Sequence, residues 1–70
     1  MIYRALGQKL RSLRQRNKYS QQHIAQHLGV TYQQVQKYER GTNRIPLDAL
    51  ARIRNLYNLS WDDLLSDFSV

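Results

Sequence analysis

Three short stretches of the chain repeat one pattern: an apolar residue, a hydroxyl residue, and a second apolar residue one helical turn on. Tyr19-Ser20 leads to Ile24, Val30-Thr31 to Val35, and Leu59-Ser60 to Leu64. A serine or threonine at a helix N-cap accepts a hydrogen bond from a first-turn backbone N–H that has no partner within the helix. The flanking apolar pair acts as a hydrophobic staple and sets the angle at which the chain joins the helix. Thr31-Tyr32-Gln33-Gln34 also fits a capping box, and Ser60-Trp61-Asp62-Asp63 fits it less strictly. Three helix starts of one design in 70 residues, with no alternating strand pattern, point to an all-α fold.

The remaining boundaries follow from periodicity and breakers. Ile2, Leu6, Leu10 and Leu13 form a stripe at helical spacing over about 2–16, and Asn17-Lys18 interrupts it. Gly29 and Gly41 stand where a helix ends in a left-handed residue. "GTNRIP" reads as a loop, after which Pro46 opens a fourth helix over about 46–57, and a fifth covers about 61–67. The expectation is a single compact five-helix domain. Its core would hold Leu6, Leu10, Leu13, Tyr19, Ile24, Ala25, Leu28, Val30, Val35, Tyr38, Leu50, Ile53, Tyr57, Leu59 and Leu64.

Charge narrows the partners. Through Arg44 there are nine basic residues and one acid, Glu39, a net +8. From Ile45 onward two arginines face four aspartates, a net −2. A basic two-thirds suits a polyanion, although charge alone does not separate DNA, RNA, a membrane surface or plain solubility. Cysteine is absent, which excludes disulfides and thiolate metal sites. The opening residues carry no apolar h-region and no run approaches membrane-spanning length, so a cytoplasmic domain with no membrane partner is expected.

Only Gly29, Val30 and Thr31 separate the second and third helices. So short a link makes the pair cross steeply, which is the geometry of a helix-turn-helix over about 20–40. With Val35 and Tyr38 taken as inward, a step of about 100° per residue turns Gln33 directly outward. Gln36 and Lys37 lie on either side of it, Tyr32 at the edge, and Gln34 on the flank, where the capping box can use it. A glutamine amide pairs bidentately with adenine, a lysine donates to guanine, and a tyrosine ring can meet a thymine methyl. Tyr32, Gln33, Gln36 and Lys37 are therefore candidate base contacts.

"YSQQHIAQHLGVTYQQVQKYERGTNRIP" resembles the Cro/C1-type (phage-repressor-like, XRE-family) helix-turn-helix domain, and the match runs from about Leu6 to Leu65. The matching features are Leu13-Arg14 closing the first helix, Ser20-Gln21, Ile24-Ala25, Leu28-Gly29-Val30, the Tyr38-to-Gly41 helix end, and Pro46. The resemblance implies a lambda-repressor-like fold. It also implies phosphate contacts from Gln21, Thr31, Thr42, Asn43 and Arg44, and base reading by Tyr32, Gln33 and Lys37. Arg14 and Glu39 match a family ion pair that joins the first helix to the end of the third. Arg54 and Tyr57 depart from the family, which usually has Ala and Leu there, so Arg54 is expected either to alter the packing or to reach out to Asp62 or Asp63.

Other constellations have plainer explanations. His23 and His27, one turn apart, could hold zinc, but Ile24 stands where a metalloprotease has its glutamate and no third ligand is near in sequence. Ser20 is accounted for as a cap and not as a nucleophile. No enzyme, cofactor, metal or small-molecule substrate is expected. Arg4, Lys9, Arg11, Arg16 and Lys18 would either be solvated or attract a backbone, and the sequence does not say which. Leu56, Trp61, Leu65, Phe68 and Val70 exceed what so small a core absorbs. They are either the closing face of the last helix or a self-associating patch. The reading is a homodimeric regulator, in the repressor sense, that binds double-stranded DNA at a near-palindromic operator. A protein-interaction module on the same scaffold, antitoxin-like or adaptor-like, is the alternative.

Overall fold

The computed structural model describes residues 2–66, which form five helices. They are α1 (Ile2–Arg16), α2 (Gln21–Leu28), α3 (Tyr32–Arg40), α4 (Leu47–Tyr57) and α5 (Trp61–Leu65). The all-α expectation holds, with each boundary within a residue or two of the sequence reading. Pro46 sits just outside α4 as its N-cap, where a missing N–H costs nothing. Asp67, Phe68 and Val70 lie outside the described residues.

The three repeated stretches are three copies of one turn. Ser20 Oγ accepts from His23 N at 3.0 Å, Thr31 Oγ1 from Gln34 N at 3.2 Å, and Ser60 Oγ from Asp63 N at 3.0 Å. Just before each cap the chain passes through the left-handed region, at Lys18 (φ 59°), Gly29 (φ 71°) and Asn58 (φ 54°). The apolar residue between the two donates back into the helix it leaves. Tyr19 N reaches Arg14 O at 3.0 Å, Val30 N reaches Ala25 O at 3.0 Å, and Leu59 N reaches Arg54 O at 3.0 Å. Tyr19, Val30 and Leu59 therefore close one helix and staple the next, which makes each link rigid with only three or four residues.

Leu6, Leu10, Ile24, Ala25, Leu28, Val35, Tyr38, Ile45, Ala49, Ile53 and Leu64 form the buried core. Ile45 and Ala49 are additions to the expected set. Leu13, Tyr19, Val30, Leu50, Tyr57 and Leu59 pack against it only partly buried. So does Leu56, expected in the surface patch. Gly7 lets α1 press on α3: a Cβ there would stand 2.4 Å from Tyr38 O and 2.5 Å from Glu39 O. Gly41 (φ 76°) closes α3 against the first turn of α1, with its Cβ position 2.5 Å from Arg4 Cα. These two contacts fix the angle at which α3 leaves the core.

Of its two expected courses, Arg54 does not take the reach to Asp62 or Asp63. Its Nη1 donates to Leu59 O at 3.3 Å, its Nη2 donates to Asn55 Oδ1 at 3.1 Å, and its guanidinium lies 5.2 Å from the Trp61 ring centroid. The Leu59 carbonyl in the turn after α4 and the Asn55 side chain take its two terminal nitrogens beside the ring face, while its buried Nε is left without a hydrogen-bond partner among the described residues.

Candidate nucleic-acid interface

Helix α3 is held by its inner side and offers its outer one. Val35, Tyr38 and Glu39 are buried, while Tyr32 (43% exposed), Gln33 and Lys37 face solvent along one edge. Gln34 is half-buried, and its backbone N–H is the one that Thr31 Oγ1 caps. Gln36 is also half-buried. It turns from that edge into a cleft of about 290 Å³ shared with Arg11, Arg14, Gln21, Glu39 and Arg40.

The buried end of α3 is tied to α1 and α2 through one carboxylate. Arg14 Nε donates to Glu39 Oε2 at 2.6 Å and Nη2 donates to Oε1 at 3.1 Å, a two-point fork. Arg14 Nη1 also donates to Tyr19 O at 3.0 Å, and Gln21 Nε2 donates to Glu39 Oε1 at 3.1 Å. Gln21, expected only as a phosphate ligand, is thus part of this network as well. Tyr19 stacks on His23 with ring centroids 4.5 Å apart and stands 6.2 Å from Tyr57. Burial, with Tyr19 beside it, pushes the Tyr57 phenol up to about 12.

After α3, Thr42 donates both its N–H (3.1 Å) and its hydroxyl (3.3 Å) to Lys37 O. Its donors close the helix in this conformation, which leaves Asn43 and the exposed Arg44 to offer polar groups from the loop. Ile2, Tyr3 and residues 41–44 border a second groove of about 390 Å³. Among the cations of α1, Lys9 reaches the other way and donates to Asp63 O at 2.7 Å, whereas Arg11 lines the α3 cleft. The wheel of α3 could not foretell that cleft, because α1 builds its other wall.

No group of three or more His, Cys, Asp or Glu that could hold a metal ion occurs among the described residues. Nor is any described helix long and apolar enough to cross a membrane.

The family model of a helix-turn-helix domain matches residues 5–68. The chain belongs to the helix-turn-helix domain family. An uncharacterized HTH-type transcriptional regulator of Sinorhizobium medicae is 39% identical over 54 residues, 77% of this chain and 39% of that protein. One from Rickettsia prowazekii is 46% identical over 48 residues, 69% of this chain and 37% of its own length. The HTH-type transcriptional regulator ImmR of Bacillus subtilis is 36% identical over 61 residues, 87% of this chain and 48% of ImmR. The helix-turn-helix domain therefore spans less than half the length of each of these relatives. No solved structure matches it.

Proposed function

We propose that this helix-turn-helix domain binds double-stranded DNA as part of a transcriptional regulator, with α3 laid in the major groove. The observation that carries the reading is the solvent-facing edge of Tyr32, Gln33 and Lys37, on a helix whose opposite side is locked to the core. Such side chains are suited to base edges, and a rigid mount fixes the register that discrimination needs. The net +8 of the first 44 residues supplies the sequence-independent attraction to phosphate. The regulators to which the chain is similar support the same reading by their names. Asn43 and Arg44 would hold the backbone beyond α3, and Gln21 the backbone at the first turn of α2. Repression, a near-palindromic operator, a homodimer and a place in the cytoplasm on the nucleoid are the finer parts of the proposal. None of it requires an enzymatic step or a cofactor.

Gln33→Ala tests the reading. On a duplex selected from a random pool by the wild-type protein, the substitution is expected to cost roughly 1–3 kcal/mol, and little on an unrelated duplex. Fluorescence anisotropy at fixed salt measures both. Equal losses on the two duplexes would remove Gln33 from base reading.

A further inference from the structure

The cleft shared by α1, α2 and α3 has a composition that the base-reading edge does not use. Arg11 stands on the α1 wall, Gln36 and Arg40 on the α3 wall, and Gln21 on the α2 side. Arg14 and Glu39 also line it, but they are paired with each other at 2.6 Å and cancel. What remains is two guanidinium groups in a cleft of about 290 Å³, open to solvent and lined by no other acid.

We propose that this cleft grips a single DNA-backbone phosphate between Arg11 and Arg40, with Gln36 and Gln21 as further donors. The inference rests on the DNA-binding reading and refines it: Gln36 leaves the base-contact set and joins the backbone contacts.

Three features argue for it. Gln36 and Arg40 are four residues apart, neighbours on one face of α3, and both line the cleft across from Arg11 of α1. A guanidinium presents its N–H groups as a planar fork that fits phosphate oxygens, and two forks across one opening repel until an anion lies between them. Gln21 is oriented as a donor. Its Nε2 gives one hydrogen to Glu39 Oε1 at 3.1 Å, and the reversed amide would set oxygen against oxygen. The second amide hydrogen is left for the anion. Beside it, the first backbone N–H groups of α2 have no partner within their helix. The Arg14–Glu39 pair is thus a neutral floor that positions Gln21 while the outer arginines bring the charge.

The test uses two duplexes, one selected from a random pool by the wild-type protein and one unrelated duplex of the same length. The quantity read is the slope of log K against log salt. Arg11→Gln/Arg40→Gln is expected to flatten the slope by about one, the signature of one phosphate lost, and to do so on both duplexes. Gln36→Ala is expected to weaken both duplexes by the same factor, in contrast to Gln33→Ala. A neutral methylphosphonate walked along the selected duplex should weaken the wild type at one position per half-site where the double variant loses nothing. Arg11 and Arg40 are exposed, and matching thermal midpoints check that the fold survives. If the double variant does not fold, each single variant is expected to flatten the slope on its own. Wild-type binding with an unchanged slope in the folded variants would overturn the clamp alone. So would a Gln36→Ala loss confined to the selected duplex. No wild-type binding to either duplex at low salt would overturn the DNA reading and the clamp with it.

Discussion

Glu39 is the buried charge among the described residues, 7% exposed, and three N–H donors converge on its carboxylate. Removing Arg14 would strand that carboxylate, and removing Glu39 would strand a half-buried guanidinium. Each of Arg14→Met and Glu39→Met is therefore expected to cost roughly 3–5 kcal/mol of folding stability, a large share of what a domain this small commonly holds. The double variant should lose less than the sum of the two, because neither charge is left behind. Urea titrations read all three, and strictly additive losses would mean that the two residues act independently. At this scale the site was only partly legible. The outward edge of Tyr32, Gln33 and Lys37 follows from the period of one helix. The link from Glu39 to Gln21 joins positions 18 apart in sequence, which periodicity cannot see. Gln36 was placed beside the edge for the same reason: a wheel drawn for α3 has no α1 in it.

The turns carry the argument at the scale of elements. Lys18, Gly29 and Asn58 occupy the same left-handed position in three equivalent links, but only Gly29 meets it without a steric penalty. Asparagine tolerates this region better than lysine does, so Lys18 is the strained copy. Lys18→Gly should stabilise the domain by roughly 0.5–1 kcal/mol, the relief of strain less the added freedom of the unfolded chain. That corresponds to a rise of about 2–8 °C in the thermal midpoint. An unchanged or lowered midpoint would show that the lysine side chain makes a compensating contact. The helix starts were legible because their hydroxyl caps and apolar staples are local. The stops at Lys18 and Asn58 were less so, since neither residue announces a positive φ as glycine does. Ile45 escaped the expected core because it lies in a loop with no periodicity, and Ala49 because so small a side chain reads as weakly apolar beside Leu50 and Ile53. Gly7 escaped because its reason is the backbone of α3, about thirty residues away in the chain, at 2.4 Å from its Cβ position.

The whole molecule poses a question of size. Its Cα extents are 29 × 25 × 22 Å, so the centres of two copies in contact stand about one molecular width apart. That is the same scale as the roughly 34 Å between successive turns of the major groove, the spacing that a twofold dimer of such domains reads. From Ile45 onward the chain has a net charge of −2, and Trp61 (38% exposed) and Leu65 (37% exposed) of α5 face solvent there. Leu47, at the start of α4, is 72% exposed and was not selected by the sequence reading. Leu56 packs toward the core instead, which moves the weight of the proposed dimer contact onto Trp61 and Leu65. In a twofold interface every substitution acts twice, and a buried interfacial tryptophan is commonly worth about 2 kcal/mol or more. Trp61→Ala should therefore weaken self-association by well over tenfold. Sedimentation at micromolar concentration would then resolve a wild-type dimer from a largely monomeric variant. Because Trp61 also covers the Arg54 guanidinium, Leu65→Ala serves as the second variant; it lies on the same face without that contact. Wild type and both variants sedimenting alike as monomers would refute the dimer. DNA binding by two half-sites would then require association through some other surface.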